Sequence, residues 1–122
     1  MKALTVLAID DSRTMRELLR RALTDRGFEV EVAVDGLDGL EALERSEPNV
    51  VITDINMPRM DGFGFIEAVR KGEVSRRVPI LALTTESAPE LRQRARDAGA
   101  TGWIVKPFDP EKLAGVIRRV AA

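Results

Sequence analysis

The sequence predicts an α/β domain built on a five-stranded parallel sheet with helices packed on both faces. Three observations point there. Five short apolar runs alternate with five stretches of helical period, and such alternation implies parallel strands joined by helical crossovers. Residues 50–53 and 78–83 are almost wholly apolar, as strands covered on both sides must be. The chain has 122 residues, a length that suits one core and one domain.

The elements follow in order. Residues 4–9 are the first strand, closed by Asp10 and Asp11. From Ser12 the period changes: Met15, Leu18, Leu19, Ala22 and Leu23 recur as one face of an amphipathic helix, which Gly27 stops. Residues 28–34 form a second strand with alternating apolar positions. Asp35-Gly36 signals a turn, and Leu37, Leu40 and Leu43 mark the next helix. Pro48-Asn49 breaks the chain before the third strand. Residues 56–62 read as a loop, and Phe63, Ile66 and Val69 as a helical stripe ending near Gly72. After the fourth strand, residues 87–90 (Ser-Ala-Pro-Glu) match a capping box with proline in the first turn. That helix runs to about Ala98. Residues 102–105 form the fifth strand, and Asp109-Pro110 caps a last helix carrying Leu113, Val116, Ile117 and Val120 on one face. No linker, repeat or low-complexity stretch interrupts the pattern.

Composition narrows the chemistry. Hydrophobic residues make up 44% and charged residues 32%, the balance of a folded soluble protein. Lys plus Arg number 19 against 20 acidic residues, a net charge of −1 that argues against nucleic-acid binding. No apolar run spans a bilayer, and residues 1–9 lack the features of a signal peptide, so a cytoplasmic address with no membrane attachment is expected. The chain has no cysteine and no histidine. Disulfides, thiol catalysis, Ser-His triads and Cys or His metal sites are therefore excluded. Carboxylates, hydroxyls and lysines remain.

Those groups gather at the strand ends. The first strand ends in Asp10-Asp11, the third in Asp54, the fourth in Thr84 and the fifth in Lys106. Ligands of an open parallel sheet bind outside the carboxyl ends of its strands. A single polar residue there is more often a cap or a solvated side chain than a site. Together the five bring three carboxylates into one cleft, which is costly unless a cation joins them. Magnesium suits all-oxygen donors and takes further ligands from water and phosphate. A carboxylate beside it can act as a nucleophile and form an acyl phosphate. Lys106 can neutralise the transferring phosphoryl group and Thr84 can hydrogen-bond to it.

Residues 9–12 (Ile-Asp-Asp-Ser), 54–58 (Asp-Ile-Asn-Met-Pro) with Asp61-Gly62, Thr84-Thr85, and 106–108 (Lys-Pro-Phe) resemble, in this order and over the whole chain, the receiver domain of two-component response regulators. The likeness is greatest to the stand-alone chemotaxis regulators of that family. The resemblance implies a flavodoxin-like doubly wound (βα)5 fold with strand order 2-1-3-4-5. That order is not visible in composition and follows from the family resemblance alone. The same resemblance implies that residues 1–122 form a single receiver domain, with nothing left for an effector or DNA-binding domain. It implies that Asp54 accepts a phosphoryl group from a histidine kinase, that Asp10, Asp11, Asp54 and the Asn56 backbone carbonyl hold magnesium, and that Lys106 and Thr84 contact the phosphate. Lys106-Pro107 would be a cis peptide. The partners implied are the kinase's phosphotransfer domain, the flagellar motor switch protein and a phosphatase, with the protein itself a monomer and no turnover enzyme.

Two positions depart from the family pattern. Trp103 stands where Tyr or Phe turns inward on activation, and reads equally well as an indole packing a helix on the sheet. Thr85 replaces a smaller residue and would narrow the groove beside it. Asn56 and Glu86 either tune the lifetime of the phosphoryl group or are ordinary loop residues. Arg13, Arg16, Arg20, Arg21 and Arg26, and later Arg92, Arg94 and Arg96, form solvated faces or docking surfaces for an acidic partner. Other classes fit less well. A haloacid-dehalogenase-type phosphatase would need an acid where Asn56 stands. A flavin carrier would need a phosphate-cradling loop where Asp10-Asp11 would repel the ligand. Within the receiver reading, a phosphate sink or relay without motor binding stays open.

Overall fold

The computed structural model describes residues 3–122, so the first two residues of the expected 1–122 domain lie outside the described residues. Among the described residues, strands and helices alternate as β1 (Thr5–Ile9), α1 (Arg13–Thr24), β2 (Glu29–Ala33), α2 (Gly36–Ser46), β3 (Val50–Thr53), α3 (Gly62–Lys71), β4 (Ile80–Thr84), α4 (Pro89–Ala98), β5 (Gly102–Val105) and α5 (Pro110–Ala121). All strand pairs are parallel, and the order across the sheet is β2-β1-β3-β4-β5. This is the flavodoxin-like doubly wound arrangement. Among the described residues no helix is long and apolar enough to cross a membrane.

The period of two along each strand divides the core. Val6, Ala8, Val50, Ile52, Leu81 and Leu83 pack with Leu19 and Leu23 of α1 and Leu113 and Ile117 of α5. Leu7, Ile9, Val51 and Ile80 turn the other way and meet Leu43 of α2 and Phe65, Ile66 and Val69 of α3. A smaller cluster of Ile55, Phe63, Ala82 and Ala95 seats α4. Each fully buried Leu, Ile or Val contributes about 1.5–3 kcal/mol, so both layers fix the register. Slipping a strand by one residue would carry its apolar set to the wrong layer.

Element ends shift by a residue or two at several places, β2 for instance running Glu29–Ala33 rather than 28–34, and three differences have a clear local cause. β4 begins at Ile80 rather than residue 78, because Pro79 has no N–H to give a ladder; it pairs only through its carbonyl, which accepts from the Val51 N–H at 2.9 Å. α4 has no capping box. Its N-cap is Ala88, one residue past Ser87, with no side-chain bond to the first turn. Pro89 occupies the first helical position and forces the residue before it to be extended, which moves the helix start beyond the reach of Ser87. Regular α1 ends at Thr24, and Gly27 (φ 92) lies in the turn beyond it. There it lets the Phe28 N–H return to the Leu23 carbonyl at 3.1 Å, the left-handed close that glycine accommodates most readily.

Candidate functional site

The strand order brings the predicted residues together. β1, β3, β4 and β5 are consecutive neighbours, so Asp10, Asp54, Thr84 and Lys106 emerge side by side at one edge. The chain leaves β1 toward β2 on one side and continues through β3 on the other. That reversal opens the crevice in which ligands of such sheets bind. Local bonds hold the ends in place. The Asp10 N–H donates to Ala33 O at 3.1 Å, the Asp54 N–H to Ile9 O at 2.9 Å, and the Lys106 N–H to Thr84 O at 2.8 Å. The loop after Asp54 turns back at Gly62, whose N–H donates to Ile55 O at 2.9 Å. A Cβ at Gly62 would collide with the Asp54 carbonyl oxygen, so only glycine permits this return. Asp61 caps α3 by accepting from the Gly64 N–H at 2.8 Å.

Lys106 extends its ammonium between two carboxylates. Nζ donates to Asp10 Oδ2 at 2.8 Å and to Asp54 Oδ2 at 2.8 Å. The side chains of Lys106, Asp10 and Asp54 are 11%, 2% and 12% exposed. The remaining oxygens find backbone donors: Ser12 N–H to Asp10 Oδ1 at 2.9 Å and Ile55 N–H to Asp54 Oδ1 at 2.6 Å. Asp11 is exposed, yet one oxygen from each of Asp10, Asp11 and Asp54 lies within 4.8 Å of the others. The Lys106–Pro107 peptide is cis.

Burial and charge act against each other here. Burial pushes the Asp10 carboxyl above the ordinary value, and its hydrogen bonds from Lys106 and Ser12 only partly offset this. Burial also works against the Lys106 ammonium, but its bonds to Asp10 and then Asp54 outweigh it and leave its pKa raised. One cation faces three carboxylates, so the edge keeps an excess of negative charge that a divalent cation would relieve. The donor set is oxygen throughout and includes no sulfur or imidazole, the preference of a hard ion such as magnesium. The residues therefore fit that ion.

Beside this cluster stands a second one. The Asn56 side-chain amide donates to Glu86 Oε1 at 3.1 Å. Thr84 is buried, and its hydroxyl oxygen accepts from the Glu86 N–H at 3.3 Å. The indole N–H of Trp103 donates to the Glu86 carbonyl oxygen at 3.0 Å. Trp103 is half-buried and packs on the cluster of Ile55, Phe63, Ala82 and Ala95, which is the helix-on-sheet packing the sequence allows for it. Thr85 is exposed.

The arginine faces are less free than the sequence suggests. Arg26 donates to Glu111 Oε1 at 2.7 Å and to the Ala22 carbonyl at 2.9 Å. Arg94 lies over the Phe63 ring, 4.0 Å from its centroid. Arg16 donates to the Asp10 carbonyl oxygen at 2.8 Å and so steadies the chain between the two leading acids. Nothing in the sequence distinguishes Arg16 from Arg13, Arg20 or Arg21. Its place in the first turn of α1, beside the end of β1, brings it over the Asp10 carbonyl.

Comparison with known proteins agrees with this geometry. Residues 6–118 match the family described as response regulator receiver domain. A probable chemotaxis protein CheY of Rhizobium etli is 40% identical over 116 residues, covering 94% of this chain and 90% of its own. Other curated relatives are longer, and the chain spans only 14% of the length of one and 49% of another. The solved chemotaxis protein CheY4 of Vibrio cholerae is 45% identical, with a TM-score of 0.92 over 98% of this chain and 99% of that one. The receiver domain of the sensor histidine kinase PA1611 of Pseudomonas aeruginosa, solved with magnesium coordinated in its active-site cleft, is 26% identical. Its TM-score is 0.90 over 98% of each chain.

Proposed function

This chain belongs to the response regulator receiver domain family, and from that premise we propose that it is a magnesium-dependent phospho-acceptor switch with Asp54 as the acceptor. The observation that carries the reading is the Lys106 ammonium, 2.8 Å from both Asp10 and Asp54 at an edge crowded with carboxylates. Asp10, Asp11, Asp54 and the main-chain carbonyl of Asn56 are the residues that would hold magnesium. When bound, magnesium supplies positive charge against these carboxylates and the oxygens of an incoming phosphoryl group.

A carboxylate oxygen of Asp54 forms the new P–O bond as the P–N bond of a kinase phosphohistidine breaks, and the electron pair leaves with the imidazole. These 122 residues contain no histidine, so the phosphohistidine donor lies outside them. Lys106 transfers its ion pair from the Asp54 carboxylate to the phosphoryl oxygens. The Thr84 hydroxyl accepts one bond from Glu86 and keeps its own proton free to donate toward the phosphoryl group. Asn56 and Glu86, joined at the mouth of the site, set how readily water reaches it. The protein assists its own phosphorylation and dephosphorylation and is not a turnover enzyme.

The output is a change in affinity for another protein. It requires the phosphorylated site to favour one conformation over the other. The relatives named as chemotaxis proteins support a role in chemotaxis signalling, and in this reading a chemotaxis kinase acts upstream of this domain and the flagellar switch protein downstream. A small phosphodonor with magnesium should add one phosphoryl group to the intact mass, and Asp54→Asn should abolish the addition. Continued phosphorylation of Asp54→Asn would overturn the acceptor assignment. Titration with the switch protein's N-terminal peptide, with and without beryllofluoride, should show tighter binding with the mimic. No binding in either state would replace motor control with a sink or relay role.

A further inference from the structure

The loop joining β3 to α3 carries Asp54 and Asn56, and a neighbouring corner of the fold grips it at its far side. Arg59 donates to Asp35 through both arms of its guanidinium, Nε to Oδ2 at 2.6 Å and Nη2 to Oδ1 at 3.1 Å. Asp35 lies in the turn between β2 and α2. Its side chain is 3% exposed, while that of Arg59 is 58% exposed. The carboxylate is itself immobilised, because Oδ1 also accepts from the Asp38 N–H at 2.9 Å as the N-cap of α2. One residue along, the Gly36 N–H donates to Met60 O at 3.0 Å. A Cβ on Gly36 would meet Met60 Cγ at 2.5 Å and Met60 O at 2.8 Å, so the two turns touch backbone to backbone.

The loop conformation needs such a grip. Arg59 has φ 65, the left-handed region that a side chain other than glycine rarely adopts. Neither residue reaches Asp54 or Lys106, and nothing in the cluster at the strand ends requires an arginine at this place. A bidentate pair on a carboxylate fixed by its own helix does one thing well: it holds a backbone in one shape. The segment so held, between the base at Gly62–Ile55 and the tip at Arg59–Asp35, contains Asn56.

We propose that Asp35 and Arg59 are a positioning pair for the magnesium site, presetting the Asn56 backbone carbonyl by clamping the far side of its loop. The inference rests on the metal-dependent reading of the site given above. It separates these two residues from the surface pair of Arg45 with Glu31, which grips no site loop.

Calorimetric titration with magnesium chloride tests it, together with the melting temperature of each protein without metal. Arg59→Ala and Asp35→Asn should each raise the magnesium Kd about 3- to 10-fold, at or below the lower end of what outer partners of a metal site cost. The double variant should be no weaker than the worse single one, and Arg59→Lys should fall between. Arg45→Ala should match the unsubstituted protein. Arg59→Gly relieves the backbone and removes the clamp, so a raised Kd without a lowered melting temperature would tie the effect to positioning. Unchanged affinity in variants that melt earlier would overturn the inference and leave the pair purely structural. Absence of magnesium binding by the unsubstituted protein would overturn both the inference and the reading beneath it.

Discussion

The indole N–H of Trp103 donates to the main-chain carbonyl of Glu86 at 3.0 Å, and this ties β5 to the loop that follows Thr84. Through the Glu86 carboxylate the same link continues to Asn56. Trp103 is the sole tryptophan, so its emission reports this junction alone. Magnesium with beryllofluoride should change its intensity and maximum, and Glu86→Ala should leave the response in place because the bond uses the backbone. An emission spectrum indifferent to both ligands would detach Trp103 from the switch.

The crowded acids set a stability trade. Burial raises the Asp10 pKa, so its ionised form opposes folding at neutral pH. Asp10→Asn should therefore raise the metal-free melting temperature by a few degrees, since 1 kcal/mol moves a domain of this size by about 4 °C. The same variant should lose most of the stabilisation magnesium confers, which for a bound ligand at a hundredfold its Kd is about 2.7 kcal/mol. Lys106→Met is the opposite case. It leaves two carboxylates without their cation and should cost about 3 kcal/mol, partly restored by magnesium. Calorimetry with and without magnesium separates the two outcomes.

The bond from Arg59 holds the Asp35 carboxyl below the ordinary carboxylate range, against its burial. A depressed folded pKa gives stability that is complete above the unfolded value, about 3.9, and is lost as pH falls through the folded one. Asp35→Asn keeps the helix cap but removes the charge. The gap in unfolding free energy between the two proteins should be full at pH 7 and close in strong acid. Urea titrations across that range would show it, and a gap independent of pH would contradict the ion pair as its source.

Arg70 clamps three carbonyls without an acid. It donates to Gly99 O at 3.0 Å, to Arg76 O at 2.8 Å and to Val78 O at 2.7 Å, and burial lowers its pKa. Lysine cannot fork in this way, so Arg70→Lys should destabilise by about 2 kcal/mol. Gly99→Ala should act at the same joint, because the added Cβ would lie 2.7 Å from Arg70 Cγ at a residue with φ 113. Hydrogen exchange at the end of α4 and the start of β4 should rise in both variants. Unaltered exchange would mean that the clamp is redundant.

The elements and the residues at the strand ends are legible because both depend on local pattern. Alternating apolar runs dictate strands, a 3.6-residue stripe dictates helices, and an aspartate closing a buried strand is visible as such. What escapes the pattern has a common cause. Ser87 has the spacing of a cap, yet Pro89 moves the helix start and leaves Ala88 at that position. Arg16 and Arg94 have the spacing of solvated charge, and only packing reveals the Asp10 carbonyl and the Phe63 ring beside them.

By itself the sequence determined the α/β class, the absence of thiol and imidazole chemistry, and which five polar residues end the strands. Tertiary structure decided which of these touch: Lys106 reaches Asp10 across 96 positions of chain and Asp54 across 52, and Arg59 reaches Asp35 across 24. The physical reason is that propensity and periodicity act over a few residues. Which strand ends become neighbours is set instead by how the crossovers bury two apolar layers at once, and this is a property of the whole chain.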